Sequence, residues 1–90
     1  MGEIRNNTTL NRFELDVDGM TAVAHYTLSP GVITFTHTET PMALRGRGIA
    51  SRLIRGALES ARAQGFKVAV RCQFVSGYIA KHPEFGDLLL

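Results

Sequence analysis

Between Thr40 and Leu53 the chain reads TPMALRGRGIASRL, with Arg45, Gly46, Arg47 and Gly48 set directly ahead of an amphipathic run. Glycine is a poor helix former and neighbouring arginines repel one another, so this cluster calls for compensation from outside the chain, and its chemistry names an anion. A turn running from a strand into a helix leaves the first N–H groups of the helix without acceptors. Those donors and the positive end of the helix dipole together hold negative charge. Glycines let the main chain approach a phosphate without a Cβ in the way, and arginines add charge and forked donors. The stretch from Arg45 to Ala50 therefore reads as a phosphate cradle whose ligands are backbone amides, with Arg45 and Arg47 as side-chain contacts.

Two common phosphate loops do not fit. A Walker A loop requires GxxxxGK[ST], and no lysine follows Gly48. A dinucleotide fingerprint GxGxxG matches at Gly46 and Gly48 but meets Ser51 at its third position. Arg71 and Cys72 also stand where that fingerprint would place an acidic ribose ligand.

The rest of the composition narrows the field. With 90 residues, 44% of them apolar and 20% charged, the chain is one globular domain, 1–90, with no room for a second core. MGEIRNNTTLNRF has no apolar core behind its basic residue, so it is not a signal peptide, and no apolar run approaches the roughly 20 residues of a membrane span. A single cysteine, Cys72, excludes an intrachain disulfide framework and a multi-cysteine metal site, and it suits a reducing, cytoplasmic setting. The net charge of +2 is unevenly spread. Residues 45–71 carry Arg45, Arg47, Arg52, Arg55, Arg62, Lys67 and Arg71 against Glu59 alone, whereas the flanking segments are net acidic. The basic excess lies wholly in the segment that the cradle opens, which argues for a local anionic partner.

The elements that must position these residues follow from periodicity. In RFELDVDG, Phe13, Leu15 and Val17 alternate with Glu14 and Asp16, the pattern of a half-buried strand. Asp18-Gly19 signals a hairpin, MTAVAHYTL resumes the alternation, and Ser29-Pro30-Gly31 turns the chain into a third strand, VITFTHTE. From Gly48 the period changes: Ile49, Leu53, Ala57 and Ala61, flanked by Ile54 and Leu58, form an apolar stripe at helical spacing that Gly65 closes. KVAVRC reads as a short buried strand at 67–72, and the intervening helix makes it parallel to the strand at 32–39 through a right-handed crossover. FVSGYIAKH predicts a short second helix ended by Pro83, and EFGDLLL docks on the core. The polar residues 1–9 are expected to fray. The class is α+β: an antiparallel meander, then a β-α-β crossover and a short C-terminal helix.

One further pattern fits in full. The motif [Q/R]-x-x-G-x-[G/A] stands as Arg45, Gly46, Arg47, Gly48, Ile49 and Ala50, after a strand and at the mouth of a helix. In this the chain resembles the GNAT superfamily of acetyl-CoA-dependent N-acetyltransferases, whose pyrophosphate loop carries that motif. It is similar in particular to a branch of compact GNAT-like proteins with the pattern HTE-x-P…GxGIAS-x-L, a strand ending in Cys, and Y-x-x-x-HPE. Here the pieces are His37-Thr38-Glu39, Pro41, Gly46 to Ser51, Leu53, Cys72, and Tyr78 with His82-Pro83-Glu84. Together they span roughly residues 31–88.

The resemblance implies a minimal GNAT fold with acetyl-CoA as cofactor. Coenzyme A would lie along Thr40, Met42 and Leu44 through its pantetheine, across Arg45 to Ser51 through its diphosphate, and near Arg52 through its ribose phosphate. Acyl transfer from a thioester to an amine needs a base, an oxyanion donor and a proton for the departing thiolate. Glu39, alone or with His37, is the candidate base. Strand alternation puts His37 and Glu39 on one face and Thr38 on the other, so at most one of the two sets lines the gap beside Cys72. Cys72 admits a two-step route in which its thiolate takes the acetyl group first, against the simpler reading of packing beside Val68 and Val70. Tyr78 lies where the superfamily often carries a tyrosine that protonates the thiolate.

The expected function is N-acetyltransfer from acetyl-CoA to a primary amine of unspecified identity. The alternative is a CoA or acyl-CoA binding module with little turnover. It arises because full-size members place two helices between their first and second strands, where Asp18-Gly19 leaves no room. A nucleic-acid binder built on Arg45, Arg47, Arg52 and Arg55 lacks a basic face interleaved with aromatics. The expected partners are thus a small acyl donor and an amine, with neither nucleic acid, membrane nor metal, for a monomer or weak homodimer.

Overall fold

The computed structural model describes residues 3–90. Its elements are β1 (Arg5–Asn7), β2 (Arg12–Val17), β3 (Met20–Ser29), β4 (Val32–Glu39), α1 (Ile49–Ala63), β5 (Lys67–Val70) and α2 (Gln73–Lys81). Short 3-10 turns at Met42–Leu44 and Pro83–Leu88 complete them. The sheet runs in the order β1-β2-β3-β4-β5, antiparallel throughout except for β4 and β5, which are parallel across the α1 crossover. Asp18 and Gly19 both take positive φ, 52° and 75°, as a two-residue hairpin matched to strand twist requires.

Both helices pack on one face of the sheet. Phe13, Leu15 and Val17 of β2, with Ala22, Ala24 and Tyr26 of β3, meet the α1 stripe of Ile49, Leu53, Ile54, Ala57, Leu58 and Ala61. Val75, Tyr78 and Ile79 of α2 and Phe85 and Leu88 of the last turn close the same core. The other face carries the polar partners of the alternation, among them Arg5, Glu14 and Asp16. Among the described residues, no helix is long and apolar enough to cross a membrane.

Two expectations need correction. Residues 5–7 do not fray: they pair with β2 in the register Arg5 to Glu14, Asn6 to Phe13 and Asn7 to Arg12. Polar contacts hold this edge strand, with Arg5 bonded to both Glu14 and Asp16 and Tyr26 Oη donating to Asn6 Oδ1 at 2.6 Å. Ile4 also lies over α1, so close to Gly56 that any Cβ there would collide with it. The expected fraying of Met1 and Gly2 lies outside the described residues. In addition, β5 stops at Val70, and Cys72 is the N-cap of α2 instead of the end of the strand.

Candidate functional site

Gly46 and Gly48 adopt φ of 78° and 73°, a region that residues with a Cβ enter at a cost. A Cβ added at either position would stand in open space. Gly48 is the N-cap of α1 and offers no side chain to cap it; the first bond into the helix is Arg52 N–H to Gly48 O at 3.1 Å. Among the described residues, the N–H groups of Ile49, Ala50 and Ser51 therefore meet no acceptor, and no acidic residue occupies the first turn. All three residues line a cleft of about 400 Å³ that extends from Gly46 and Gly48 to Thr38 and Phe74. Three convergent amides at the positive end of a helix fit a diphosphate.

The side chains around this cleft divide. Thr40 and Leu44 line it, although Leu44 is fully buried and serves the core as well. Arg45 also lines it, with Nε donating to Thr40 O at 3.3 Å. Arg47 turns away: its guanidinium donates to Asp18 at 2.9 Å. Arg52 is exposed and does not line the cleft. Met42 belongs to a second cleft on the far side of β4 and is 79% exposed.

A β-bulge decides which residues of β4 face the helices. β4 pairs with β5 only as far as Phe35 with Val70, so from Thr36 onward the β4 edge on that side is free. On its other side the register shifts between His25 and Tyr26, leaving Thr36 without a partner; its hydroxyl donates to His25 O at 3.3 Å. Before the bulge Ile33 and Phe35 face the helices. After it Thr38, opposite the buried Ala24, faces them instead. His37 and Glu39, opposite His25 and Val23, point to the other face.

The candidate groups consequently form two clusters with the strand between them. On the helix side, Thr38 Oγ1 lies 3.4 Å from Cys72 Sγ. On the outer side, His37 Nε2 lies 3.2 Å from Glu39 Oε1, both side chains 62% exposed, with the His37 ring stacked on His25. Alternation predicted this division but not which set would win. Thr38, absent from the expected catalytic set, is the residue next to the thiol, and the bulge that put it there had no sequence signal.

Burial pushes the Cys72 thiol up, but hydrogen bonding from the Thr38 hydroxyl and the nearby N–H groups of Val75, Phe74 and Thr38 outweighs it. The net result is a thiol below its ordinary range. Cys72 is the N-cap of α2, and the N–H groups of Phe74 and Val75 at the start of that helix face its sulfur. Tyr78 sits elsewhere, in a groove between α1 and α2. It is 6% exposed, its hydroxyl accepts from Arg55 at 3.4 Å, and its ring stacks on His82 at 4.0 Å.

The chain is similar to known proteins over most of its length. The profile of the GCN5-related N-acetyl-transferase family matches residues 12–88. Protein NATD1 of Gallus gallus is 35% identical over 52 residues, which are 58% of this chain and 47% of that protein. Protein NATD1 of Homo sapiens is 35% identical over 52 residues, 58% of this chain and 46% of that protein. The matched stretch is thus about half the length of these curated relatives. The solution structure of a GCN5-like protein from Staphylococcus aureus shares the fold, with a TM-score of 0.69 at 24% identity over 98% of this chain and 87% of the other.

Proposed function

The chain belongs to the GCN5-related N-acetyltransferase family, and from that premise we propose that it binds acetyl-CoA through the Arg45–Ser51 loop and passes the acetyl group to a primary amine. The observation that carries this reading is the row of acceptor-less amides, Ile49 to Ser51, on the wall of the cleft. Bound there, acetyl-CoA supplies an acetyl group already activated as a thioester. The amides and Arg45 neutralise the diphosphate, Arg52 lies within the first helical turn for a further phosphate, and Thr40 and Leu44 guide the chain toward Thr38.

Two routes to the amine remain open to these residues. In one, Glu39 with His37 takes the amine proton and the amine attacks directly. In the other, the Cys72 thiolate, held by Thr38, accepts the acetyl group and hands it on. A reducing compartment such as the cytoplasm keeps Cys72 available for that role. The placement of Tyr78, buried and outside the residues that line the cleft, supports packing over proton donation. That same placement, together with the strand separating Glu39 from Cys72, gives weight to the second reading of a binding module with little turnover.

Calorimetric titration with CoA tests the cradle. Wild type binds, and Gly48→Asp, which sets a carboxylate before the diphosphate, does not bind while circular dichroism shows the fold intact. Unchanged affinity in Gly48→Asp removes the assignment. Radiolabelled acetyl-CoA then separates the two readings: label on Cys72 or on an added amine supports the transferase, and tight binding without label transfer supports the module.

A further inference from the structure

We propose that His25 and His37 form a two-imidazole chelate for a divalent transition-metal ion of the zinc, nickel or copper group, clamping β3 to β4 on the outer face of the sheet. The site is independent of the cofactor reading. The two histidines are far apart in sequence, but the antiparallel register makes them direct partners across the strands. Directly opposed positions hold their Cβ atoms about 5 Å apart on one face, a span that two ring nitrogens can close around one ion. The rings lie nearly parallel, at an interplanar angle of 15°, with centroids 6.2 Å apart. Solvent reaches both side chains, so rotation about their Cβ bonds brings one nitrogen of each to a shared ion.

Glu39 adds the feature that points to a metal. A carboxylate only accepts, so His37 Nε2 carries the hydrogen in its 3.2 Å contact with Glu39 Oε1. The lone pair of His37 is thereby fixed on Nδ1, the nitrogen left to ligate. A carboxylate behind a ligating histidine holds the tautomer and raises the basicity of the ring. It also sets negative charge beside the ion. The neighbouring cation, Arg12 opposite His25 on β2, is paired with Glu14 at 2.6 Å. Among the described residues no three histidine, cysteine or carboxylate side chains converge as a ready cage, so water completes the coordination. Imidazole ligands favour ions of the zinc group over Mg2+ and Ca2+, which take oxygen.

The clamp bears on the rest of the molecule through the bulge. The register shifts between His25 and Tyr26, leaving Thr36 unpaired and setting Thr38 beside Cys72. An ion held by His25 and His37 fastens β3 to β4 at that irregular step, where the ladder is interrupted. Binding to the folded chain therefore stabilises it and slows opening of the end of β4.

The test is a Zn2+ titration of the full chain at neutral pH, read by amide-shift NMR and by thermal unfolding, with Mg2+ in a second arm. Saturable shifts are expected at Ala24 to Tyr26 and Thr36 to Glu39, with a melting temperature that keeps rising in excess Zn2+. His25→Ala and His37→Ala each abolish both effects, and Glu39→Gln weakens binding roughly tenfold. His82→Gln and Cys72→Ala bind as wild type. In the unmodified chain, Zn2+ shields His25 and His37, but not His82, from acylation by diethyl pyrocarbonate, a readout that needs no variant to fold. Shifts that persist in His25→Ala or His37→Ala overturn the proposal. Shifts centred on Cys72 or His82, equal binding of Mg2+ at the same amides, or no shielding of the two rings overturn it as well.

Discussion

Arg47 of the glycine-rich loop donates to Asp18 at the tip of the β2–β3 hairpin, 2.9 Å away and 29 positions earlier in the chain. The contact makes Arg47 a strut that holds the loop against the sheet, and it takes from the phosphate side a charge that sequence alone assigns to it. Two opposite outcomes discriminate these roles. If Asp18 merely competes with phosphate for the guanidinium, Asp18→Asn frees Arg47 and tightens CoA binding. The strut predicts instead that Asp18→Asn and Arg47→Ala each weaken CoA by a similar, few-fold factor, and that the double variant is no worse than either alone in a double-mutant cycle. Stability should hardly change, because both side chains are well exposed.

How far the sequence reveals this molecule depends on how local each cause is. The Asp18-Gly19 hairpin, the six-residue stripe of α1 and the positive φ of Gly65 depend on a few neighbouring residues, and all are legible there. The cradle is legible for the same reason, since Gly46, Gly48 and the helix start are contiguous. Strand β1 is not, because RNN has no apolar alternation and is held by Glu14, Asp16 and Tyr26 from elsewhere in the chain. The bulge at Thr36 is a mismatch between two strands and leaves no mark on either one alone. The engagement of Tyr78 by Arg55, across 23 positions, is equally hidden.

The Thr38–Cys72 contact predicts a measurable change in thiol chemistry. Thr38→Val removes the hydroxyl but keeps the β-branched shape, so the Cys72 thiol should titrate higher and react more slowly with iodoacetamide near neutral pH. Thr38→Ser should restore the wild-type profile. CoA affinity should be unaffected in both variants, and Cys72→Ala should bind CoA as well. An alkylation profile that is the same in Thr38→Val and wild type would show that the hydroxyl does not tune the sulfur.

Gly56 predicts a trade between a helix and an edge strand. Replacing a helix-interior glycine by alanine favours the helix by about 1 kcal/mol. The new Cβ, however, would drive into Ile4 and lift the segment leading to β1. Gly56→Ala should therefore leave the melting temperature nearly unchanged while hydrogen exchange at Asn6 and Asn7 accelerates. In an Ile4→Ala background the same substitution should stabilise. A gain in melting temperature with β1 protection intact would mean that Ile4 yields without disturbing the strand.

Glu14 predicts the acid limb of the stability curve. Its carboxylate is 4% exposed and accepts from Arg5 at 2.7 Å, Arg12 at 2.6 Å and Asn7 at 3.2 Å. Burial pushes the carboxyl up, but Arg12, Asn7 and Arg5 together hold it below its ordinary value in the folded chain. Asp16, bonded by Arg5 and Thr21, and Asp87, bonded by Arg62, are lowered as well. With folded values below unfolded ones, the unfolded chain takes up protons first as pH falls, so stability rises with pH across that window. The contribution is complete above the unfolded carboxyl range, about pH 4, and is lost as pH drops through the folded values. The melting temperature should be flat from neutral pH to about pH 5 and fall below about pH 4. Glu14→Gln should lower it at neutral pH, where Arg5 and Arg12 lose their shared anion, and should make the acid limb shallower. A limb of unchanged steepness in Glu14→Gln would move the linkage to Asp16 and Asp87.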